Sequence, residues 1–323
     1  MTRPRAKVQV QTSLERWASE RLKRILKHRK DTKRYGAEWP NQSLLLREIV
    51  QGYLQEHPEM DPHAEARSRL IVALDMEPRL VLEAASKLKG HVGAYKVNSA
   101  FTSQGSEMVS HLFRNAGPVF LDLKFNDIPN TVANHVIAVT EMGKGYKVGA
   151  PADPEVSMMT MHIAAGPAAM KAAIEAARTT AVNLRRPAPK ILGITVLTSL
   201  SAEDCEAVGM DIHGETDAAA IQDIVLKRAK LAAECGLDGL VCSGKEVAAV
   251  RAVVGDQMKL IVPGIRPPVE GGSEDDQTRV VTPEKAIKAG ADFLVVGRPI
   301  YGALDPAQAA DEIVAQIAEA LNG

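Results

Sequence analysis

From residue 69 onward, short apolar runs alternate with longer segments whose apolar positions recur at helical spacing. The runs are rich in Val, Ile and Leu, which is typical of strands buried on both faces. They predict eight strands, at 69–75, 93–97, 119–124, 158–163, 190–197, 239–243, 259–263 and 293–297. A helical pattern follows each strand, at 78–89, 103–115, 129–142, 167–179, 218–235, 244–254, 283–289 and 306–321. Eight βα repeats over about 255 residues favour an α/β fold of the closed (β/α)8 TIM-barrel type over an open doubly wound sheet.

The fourth strand is the least clear of these elements. The segment 143–157 before it contains three Gly and two Pro, and it predicts an extra loop. Within that segment, Tyr146 to Val148 could form a short strand of their own. We place the fourth strand at 158–163.

Residues 1–60 differ in charge from the rest of the chain. They carry 13 Lys and Arg against 7 Asp and Glu, a net of +6, whereas the remainder carries 26 against 33, a net of −7. Such asymmetry predicts two parts: a basic N-terminal extension at 1–60 and the (β/α)8 barrel at 61–323. Residues 56–66 would form the linker.

The apolar pattern within the extension predicts a strand followed by two helices. Residues 7–13 alternate like a strand, and 14–30 and 43–55 have helical spacing. This order, with its basic surplus, resembles a ribbon-helix-helix DNA-binding module, in which Gln9 and Gln11 could reach base edges in the major groove. A solvated helical appendage and an oligomerisation arm are the alternatives.

Composition narrows the class of protein. Hydrophobic residues make up 46% of the chain and aromatic residues 4%, so aliphatic side chains must fill the core. The net charge of −1 argues against a partner that binds the whole chain electrostatically.

The three cysteines (Cys205, Cys235 and Cys242) lack metal-ligand spacing and fit a reducing compartment. The N-terminus is charged, and no apolar run reaches the ~18 residues of a membrane helix. We expect a soluble, cytoplasmic protein without a membrane partner.

The most informative stretch is the third predicted strand and the residues after it. The strand ends in Asp122-x-Lys124-x-x-Asp127, so two carboxylates flank one ammonium group, and alternation directs Asp122 and Lys124 to the same side. Asp127 lies on the turn before Pro129, which suits the first turn of a helix. A lysine held against carboxylates stays charged and can deliver a proton to a developing carbanion. A structural ion pair at a strand end is the alternative.

Other polar residues collect at the carboxyl ends of the predicted strands, where (β/α)8 barrels place their chemistry. They are Asp75 after strand 1, Lys96 in strand 2, Thr198 and Ser199 after strand 5, Arg266 after strand 7, and Gly297 and Arg298 after strand 8. The loop after strand 7 also contains Gly264, Gly271 and Gly272. Loops after strands 7 and 8 are the usual phosphate site of this barrel, and arginine pairs with phosphate through two hydrogen bonds. We therefore expect a phosphorylated substrate.

Residues 67–323 are similar in motif and order to the orotidine 5′-phosphate decarboxylase family. The resemblance rests on Asp122-x-Lys124-x-x-Asp127 with its Ile-Pro-Asn-Thr131 continuation, and on 195–199 (TVLTS), 263–267 (PGIRP), 276–277 (DQ) and 297–299 (GRP). The segments 73–75 (ALD), 95–97 (YKV) and 235–243 (CGLDGLVCS) add to it. The D-x-K-x-x-D motif alone is shared with sugar-phosphate relatives, whereas the IPNT, PGIRP and DQ segments are more specific.

The resemblance implies decarboxylation of orotidine 5′-monophosphate (OMP) to UMP and CO₂ in pyrimidine biosynthesis, without a metal or an organic cofactor. Lys124 corresponds to the proton donor to C6 of the pyrimidine, and Asp122 to the carboxylate that crowds the substrate carboxylate. Lys96, Asp122, Lys124 and Asp127 correspond to an alternating charge network. The implied substrate contacts are Asp75 and Lys96 at the ribose, Thr198 and Ser199 at the base, Gln277, Gly297 and Arg298 at the phosphate, and Arg266 in a closing loop.

The resemblance also implies a homodimer in which Asp127 and Thr131 reach into the partner subunit's site. Departures from the family pattern are Asn98, in place of a common Gly, the segment 143–157, which is longer than usual, and His162, which matches loosely and for which we expect no catalytic role. The alternative enzyme class is a sugar-phosphate aldolase or a metal-dependent keto-acid phosphate decarboxylase on the same barrel. Nucleic-acid binding is expected only through residues 1–60.

Overall fold

The computed structural model describes residues 61, 63–143, 154–214, 216–267 and 281–322. The predicted extension at 1–60, Gln277, and 144–153 of the predicted extra loop lie outside the described residues. The compact unit that contains the barrel begins at Glu65. The division of the chain at residue 60 stays a prediction.

Eight parallel strands form a closed barrel in which the strands follow each other in chain order, as the sequence predicts. The first and last strands pair through Leu70 opposite Leu294, which closes the barrel. The strands are β1 Leu70–Ala73, β2 Ala94–Val97, β3 Val119–Phe125, β4 Val156–His162, β5 Lys190–Ile194, β6 Gly239–Val241, β7 Lys259–Pro263 and β8 Phe293–Val296.

A helix precedes β1 and further helices follow the strands, and each predicted helical segment overlaps an observed helix. They are α1 Ala64–Ser68, α2 Val81–Lys87, α3 Ser99–Asn115, α4 Pro129–Thr140, α5 Pro167–Asn183, α6 Ala202–Ala207, α7 Asp217–Cys235, α8 Val247–Val254, α9 Pro283–Lys288, α10 Arg298–Tyr301 and α11 Pro306–Asn322. Single 3₁₀ turns lie at Pro78–Leu80 and Ile163–Ala165.

Several strands near the site have other boundaries than predicted: β1 ends at Ala73 and β6 at Val241, each two residues early, and β4 and β5 also differ. Strand β4 begins at Val156, within the predicted loop, because Val156 pairs with Val119 of β3. Strand β5 ends at Ile194, three residues before the predicted end. The chain then leads into the short helix α6, which starts at a capping box between Ser201 and Asp204.

Two apolar layers hold the barrel together. The larger lies between the strands and the surrounding helices, with Tyr95 and Leu121 among its fully buried members. The smaller fills the barrel interior and consists of Ile71, Ala73, Ala94, Phe120, Met158, Leu192, Ile261 and Val295. Inward and outward positions alternate along each strand, as in other barrels of this type. The interior is therefore a packed core, and space for a ligand remains only at its ends.

Helix α7 shows how local sequence sets an element. The side-chain oxygen of Thr216 accepts a hydrogen bond from the backbone N–H of Ala219 at 3.3 Å, which caps the N-terminus. Gly236 ends the helix in a left-handed conformation, with φ of 82°, which a glycine adopts without steric strain. The capping hydroxyl of Thr216 and the conformational freedom of Gly236 thus set the two ends of the helix.

A half-buried carboxylate, that of Asp292, joins β7, β8 and α8. Asp292 Oδ2 lies 2.5 Å from Arg251 Nη2 and Oδ1 lies 2.9 Å from Lys259 Nζ, and Oδ2 also accepts the Leu260 N–H at 2.9 Å. Burial alone would raise the pKa of Asp292, but these hydrogen bonds and the adjacent positive charge lower it below its ordinary value. The ionised carboxylate therefore stabilises this part of the barrel.

Among the helices that the structure describes, none combines the length and the apolar character needed to cross a bilayer.

Candidate active site

A cavity of about 730 Å³ opens at the carboxyl ends of the barrel strands. Its floor includes the interior core residues Ala73, Phe120, Ile261 and Val295. Eight of the predicted site residues line it: Asp75, Lys96, Asp122, Lys124, Thr198, Arg266, Gly297 and Arg298. These residues come from six of the eight βα units, so barrel closure brings together side chains that lie far apart in the sequence.

Two lysines and one aspartate, Lys96 of β2 and Asp122 and Lys124 of β3, form the centre of the cavity. Lys96 Nζ lies 3.3 Å and Lys124 Nζ lies 2.8 Å from the same oxygen, Asp122 Oδ2. On its other side, Lys96 Nζ contacts both carboxylate oxygens of Asp75, at 2.9 and 3.0 Å. The order Asp75–Lys96–Asp122–Lys124 gives a continuous chain of alternating charge.

The members of this chain differ in how open they are to the cavity. The side chains of Lys96 and Asp122 are 9% and 11% exposed, whereas that of Lys124 is 29% exposed. The ammonium group of Lys96 lies between two carboxylates, but that of Lys124 forms an ion pair with Asp122 alone among the described residues. Lys124 is therefore the ammonium group with hydrogens directed away from the network and available to a ligand.

The surroundings of Asp122 favour its ionised form. Burial alone would raise its pKa, but the positive charge of Lys96, the hydrogen bond and charge of Lys124, and the Thr160 hydroxyl together lower that pKa below its ordinary value. An ionised carboxylate at this position neutralises part of the positive charge of the two lysines.

Thr160 of β4 is a member of the site that the sequence analysis missed. It is fully buried, its hydroxyl donates to Asp122 Oδ1 at 2.9 Å, and its oxygen accepts the backbone N–H of Lys124 at 2.9 Å. A threonine within an apolar strand carries no sequence signal that separates it from an ordinary strand residue. Only the packing of β4 against β3 identifies it.

The side of the cavity formed by the segments after β7 and β8 carries positive charge. Arg298 begins helix α10, and Arg266 follows β7 in the segment that also supplies Pro263 and Gly264. Both arginines are exposed, and within the described part of the chain neither guanidinium forms an ion pair with a carboxylate. This side can therefore accept an anionic group of a ligand through charge-assisted hydrogen bonds.

Tyr301 connects this side to the lysine network. Its hydroxyl donates to the backbone carbonyl of Asp75 at 3.3 Å, and the residue lines the cavity together with Asn98 and Ser99. The sequence analysis noted Asn98 only as a departure from a family pattern and did not single out Tyr301 or Ser99. Each lies within three residues of a predicted site residue, and this proximity was the available signal.

Three predicted site residues do not line the cavity within one chain. The side chain of Asp127 is exposed, and its Oδ1 accepts the backbone N–H of Ile128 at 2.7 Å. Thr131 is half-buried on α4, and Ser199 is exposed after Thr198. The charge network within one chain therefore ends at Lys124, and the predicted roles of these three residues stay predictions.

His162 lies at the carboxyl end of β4 and is half-buried. Burial lowers its pKa, and the positive charges of Lys124 and Arg228 lower it further. The imidazole is therefore neutral at pH 7. The described residues include no group of three or more His, Cys, Asp or Glu side chains arranged to hold a metal ion.

Comparison with known proteins agrees with the barrel fold. The model of the Orotidine 5′-phosphate decarboxylase / HUMPS family matches residues 68–313. The orotidine 5′-phosphate decarboxylase of Trichlorobacter lovleyi is 40% identical over 255 residues, which cover 78% of this chain and 96% of that protein. The Rhodopseudomonas palustris enzyme of the same name is 42% identical over 256 residues, 79% of this chain and 95% of that protein. The crystal structure of orotidine 5′-phosphate decarboxylase from Lactobacillus acidophilus aligns with a TM-score of 0.61 and 30% identity, covering 77% of this chain and 98% of that one.

Proposed function

Because the chain belongs to the orotidine 5′-phosphate decarboxylase / HUMPS family, we propose that it converts OMP to UMP and CO₂. The observation that carries this proposal is the alternating chain Asp75–Lys96–Asp122–Lys124 in a cavity that two arginines also line. The lysines of the alternating chain can stabilise negative charge that develops on a carbon atom, and the two arginines can bind a phosphate. OMP has such a carbon atom and a phosphate.

The chemical step breaks the bond between C6 of the pyrimidine and its carboxylate. CO₂ departs, and the electron pair stays on C6 as a carbanion that needs positive charge and a proton. Lys124 donates that proton to C6, and water restores it to the amine afterwards. The greater exposure of Lys124 and its ion pair with Asp122 support this role.

Asp122 has two functions in the proposal. It keeps both lysines charged and in position, and it lies near the substrate carboxylate, so the two negative charges repel each other until CO₂ leaves. Lys96 holds Asp75 at the cavity wall, where the Asp75 carboxylate and the Lys96 ammonium would contact the ribose hydroxyls.

Phosphate binding supplies affinity at a distance from the reacting carbon. In the proposal Arg298 and Gly297 bind the phosphate with Gln277, and Arg266 closes over the substrate. Thr198 and Ser199 contact the base. Binding energy from such a remote group can close loops and exclude water before the reaction starts.

We further propose that two subunits share each site, with Asp127 and Thr131 contributed by the partner. The exposed Asp127 is followed by Ile128, whose side chain is 66% exposed, and Ile137 lies exposed further along α4. Asp127 does not line the cavity of its own chain, and exposed apolar side chains lie near it. Such a surface is suited to an isologous interface, in which each subunit would contribute Asp127 to the site of the other.

The direct test follows the absorbance of OMP with the purified protein, with and without a chelator such as EDTA. We expect UMP and CO₂ as products and an unchanged rate with EDTA. The alternative enzymes of this barrel, a sugar-phosphate aldolase or a metal-dependent keto-acid phosphate decarboxylase, would lose activity on chelation. No turnover of OMP under either condition would contradict the proposal.

For residues 1–60 we propose DNA binding, on the basis of their net charge of +6 and the strand-helix-helix pattern. Full-length protein should retard duplex DNA with an affinity that falls steeply as salt rises. A chain that begins at residue 61 should keep decarboxylase activity but lose retardation. If the two chains bound DNA equally well, or if full-length protein bound no DNA at low salt, residues 1–60 would be interpreted as a solvated helical appendage instead.

A further inference from the structure

We propose that Thr160 is a positioning residue that sets the backbone conformation of Lys124 and thereby the direction of its ammonium group. The role of Lys124 in this inference rests on the proposed decarboxylation, but the geometric claim does not. Thr160 lies on β4 and belongs to neither of the strands that carry the lysines.

The pairing of β3 with β4 is interrupted opposite Thr160. Leu121 pairs with Met159 and Phe125 pairs with Met161, so residues 122–124 of β3 lie opposite Thr160 alone. Extra residues on one strand form a bulge, which redirects side chains and disrupts the backbone ladder. Asp122 and Lys124, two of the three charged residues of the motif, lie within this bulge.

Lys124 adopts a left-handed conformation at the bulge, with φ of 53°. A residue with a Cβ in this region costs roughly 1 to 2 kcal/mol relative to ordinary backbone. The structure must therefore hold it there. Lys124 N–H donates to Thr160 Oγ1 at 2.9 Å, so the threonine oxygen accepts the hydrogen bond that the interrupted ladder would otherwise provide.

The same hydroxyl orients Asp122. A threonine hydroxyl has one hydrogen to donate and lone pairs to accept. Thr160 accepts from Lys124 N–H and donates its hydrogen to Asp122 Oδ1, which leaves Asp122 Oδ2 for the two lysine ammonium groups. A β-branched side chain at a fully buried position has little rotamer freedom, so both bonds are held in one geometry. One hydroxyl thus joins the backbone of the proposed proton donor to its carboxylate partner.

The experiment compares Thr160→Val, which keeps the shape and removes the hydroxyl, with Thr160→Ser, which keeps the hydroxyl. Thr195→Val is the matched control. Thr195 is also fully buried at a barrel strand end, and its hydroxyl donates to the Val241 carbonyl at 3.0 Å. Circular dichroism and thermal unfolding verify that each variant folds.

We expect Thr160→Val to lower kcat by roughly 10- to 100-fold, because a displacement of about 1 Å at a reacting group has an effect of this size. KM should change by less than about threefold, since the arginine side of the cavity is untouched. Thr160→Ser should keep kcat within about fivefold of wild type, and Thr195→Val should keep kcat while losing some thermal stability. Unchanged kcat in Thr160→Val, or an equal loss in Thr195→Val, would overturn the inference.

Crystal structures of the variants separate this inference from the proposed function. In Thr160→Val we expect Lys124 to leave its left-handed conformation and the Lys124 Nζ–Asp122 Oδ2 distance to exceed about 3.5 Å, the limit of a hydrogen bond. An unaltered Lys124 would overturn the inference even if wild type proved inactive on OMP, a result that alone would contradict only the proposed reaction. If Thr160→Val does not fold, Thr160→Cys replaces it, with the same expected loss because a thiol hydrogen-bonds weakly.

Discussion

The carboxylate of Asp122 accepts a 2.8 Å hydrogen bond from the ammonium group of Lys124, although a single residue separates the two in the chain. In a regular strand, residues two apart share a face and lie roughly 6 to 7 Å from each other along the strand. Here Lys124 departs from strand geometry and its side chain meets the carboxylate. The short contact keeps the proposed proton donor and its anionic partner together at the centre of the cavity.

Replacing the proposed proton donor should abolish most of the reaction. We expect Lys124→Ala to lower kcat by about 10²- to 10⁴-fold, the usual contribution of a positioned acid, while binding of UMP survives in part. Lys87→Ala is the control, because Lys87 lies on the surface of α2 and, among the residues that the structure describes, forms an ion pair with Glu83 alone. If the Lys124 variant kept more than about a tenth of wild-type kcat, a loss under 1.4 kcal/mol, another group would be the donor.

Removal of the arginine at the start of α10 should weaken binding of the phosphorylated substrate. We expect Arg298→Ala to lower kcat/KM by about 10²-fold, mostly through KM, because charge-assisted hydrogen bonds to the phosphate are lost. Phosphite added together with a dephosphorylated substrate should activate wild type more than the variant. Arg178→Ala on α5, where Arg178 lies 3.8 Å from Asp238, is the control. Unchanged kcat/KM in Arg298→Ala would locate the phosphate elsewhere.

The shared site can be tested by mixing two inactive proteins. Lys124→Ala and Asp127→Ala subunits are combined under conditions that allow exchange. In a mixed dimer, one site carries both lesions and the other carries neither, so random reassortment should restore about a quarter of wild-type activity. Native mass spectrometry verifies that exchange has occurred. No recovery after verified exchange would mean that Asp127 acts within its own chain.

The ion pairs of Asp292 with Arg251 and Lys259 predict how the stability of the protein depends on pH. Because the folded-state pKa of Asp292 is depressed, its contribution is present above the unfolded pKa of about 4 and is lost as pH falls through the lower folded pKa. We expect Asp292→Asn to lower the free energy of unfolding at pH 7 by about 2 kcal/mol, and by progressively less below pH 4.

Urea denaturation between pH 7 and pH 3 measures this difference. Asp223→Asn is the control, since Asp223 forms an exposed i,i+4 pair with Lys227 that contributes about 0.3 to 0.5 kcal/mol. A difference between wild type and Asp292→Asn that stays constant with pH would show that the carboxylate charge is not the source of the stability.

The sequence by itself determined the barrel and much of the site. Apolar runs bounded by helical patterns predict eight βα units, because burial of both strand faces leaves a periodic signature in the chain. The position of Asp75, Lys96, Asp122, Lys124 and Arg298 at strand ends follows from that pattern, because the carboxyl ends of parallel strands meet at one rim.

Tertiary structure alone decided the contacts between strands. The role of Thr160 depends on the register of β4 against β3, and the left-handed conformation of Lys124 depends on the bulge in that register. The link from Tyr301 to Asp75 spans 226 residues of sequence and depends on barrel closure. Apolar periodicity records which face of an element is buried. It carries no information about which neighbouring atom a polar group will meet, because that pairing is set only when strands from distant parts of the chain pack side by side.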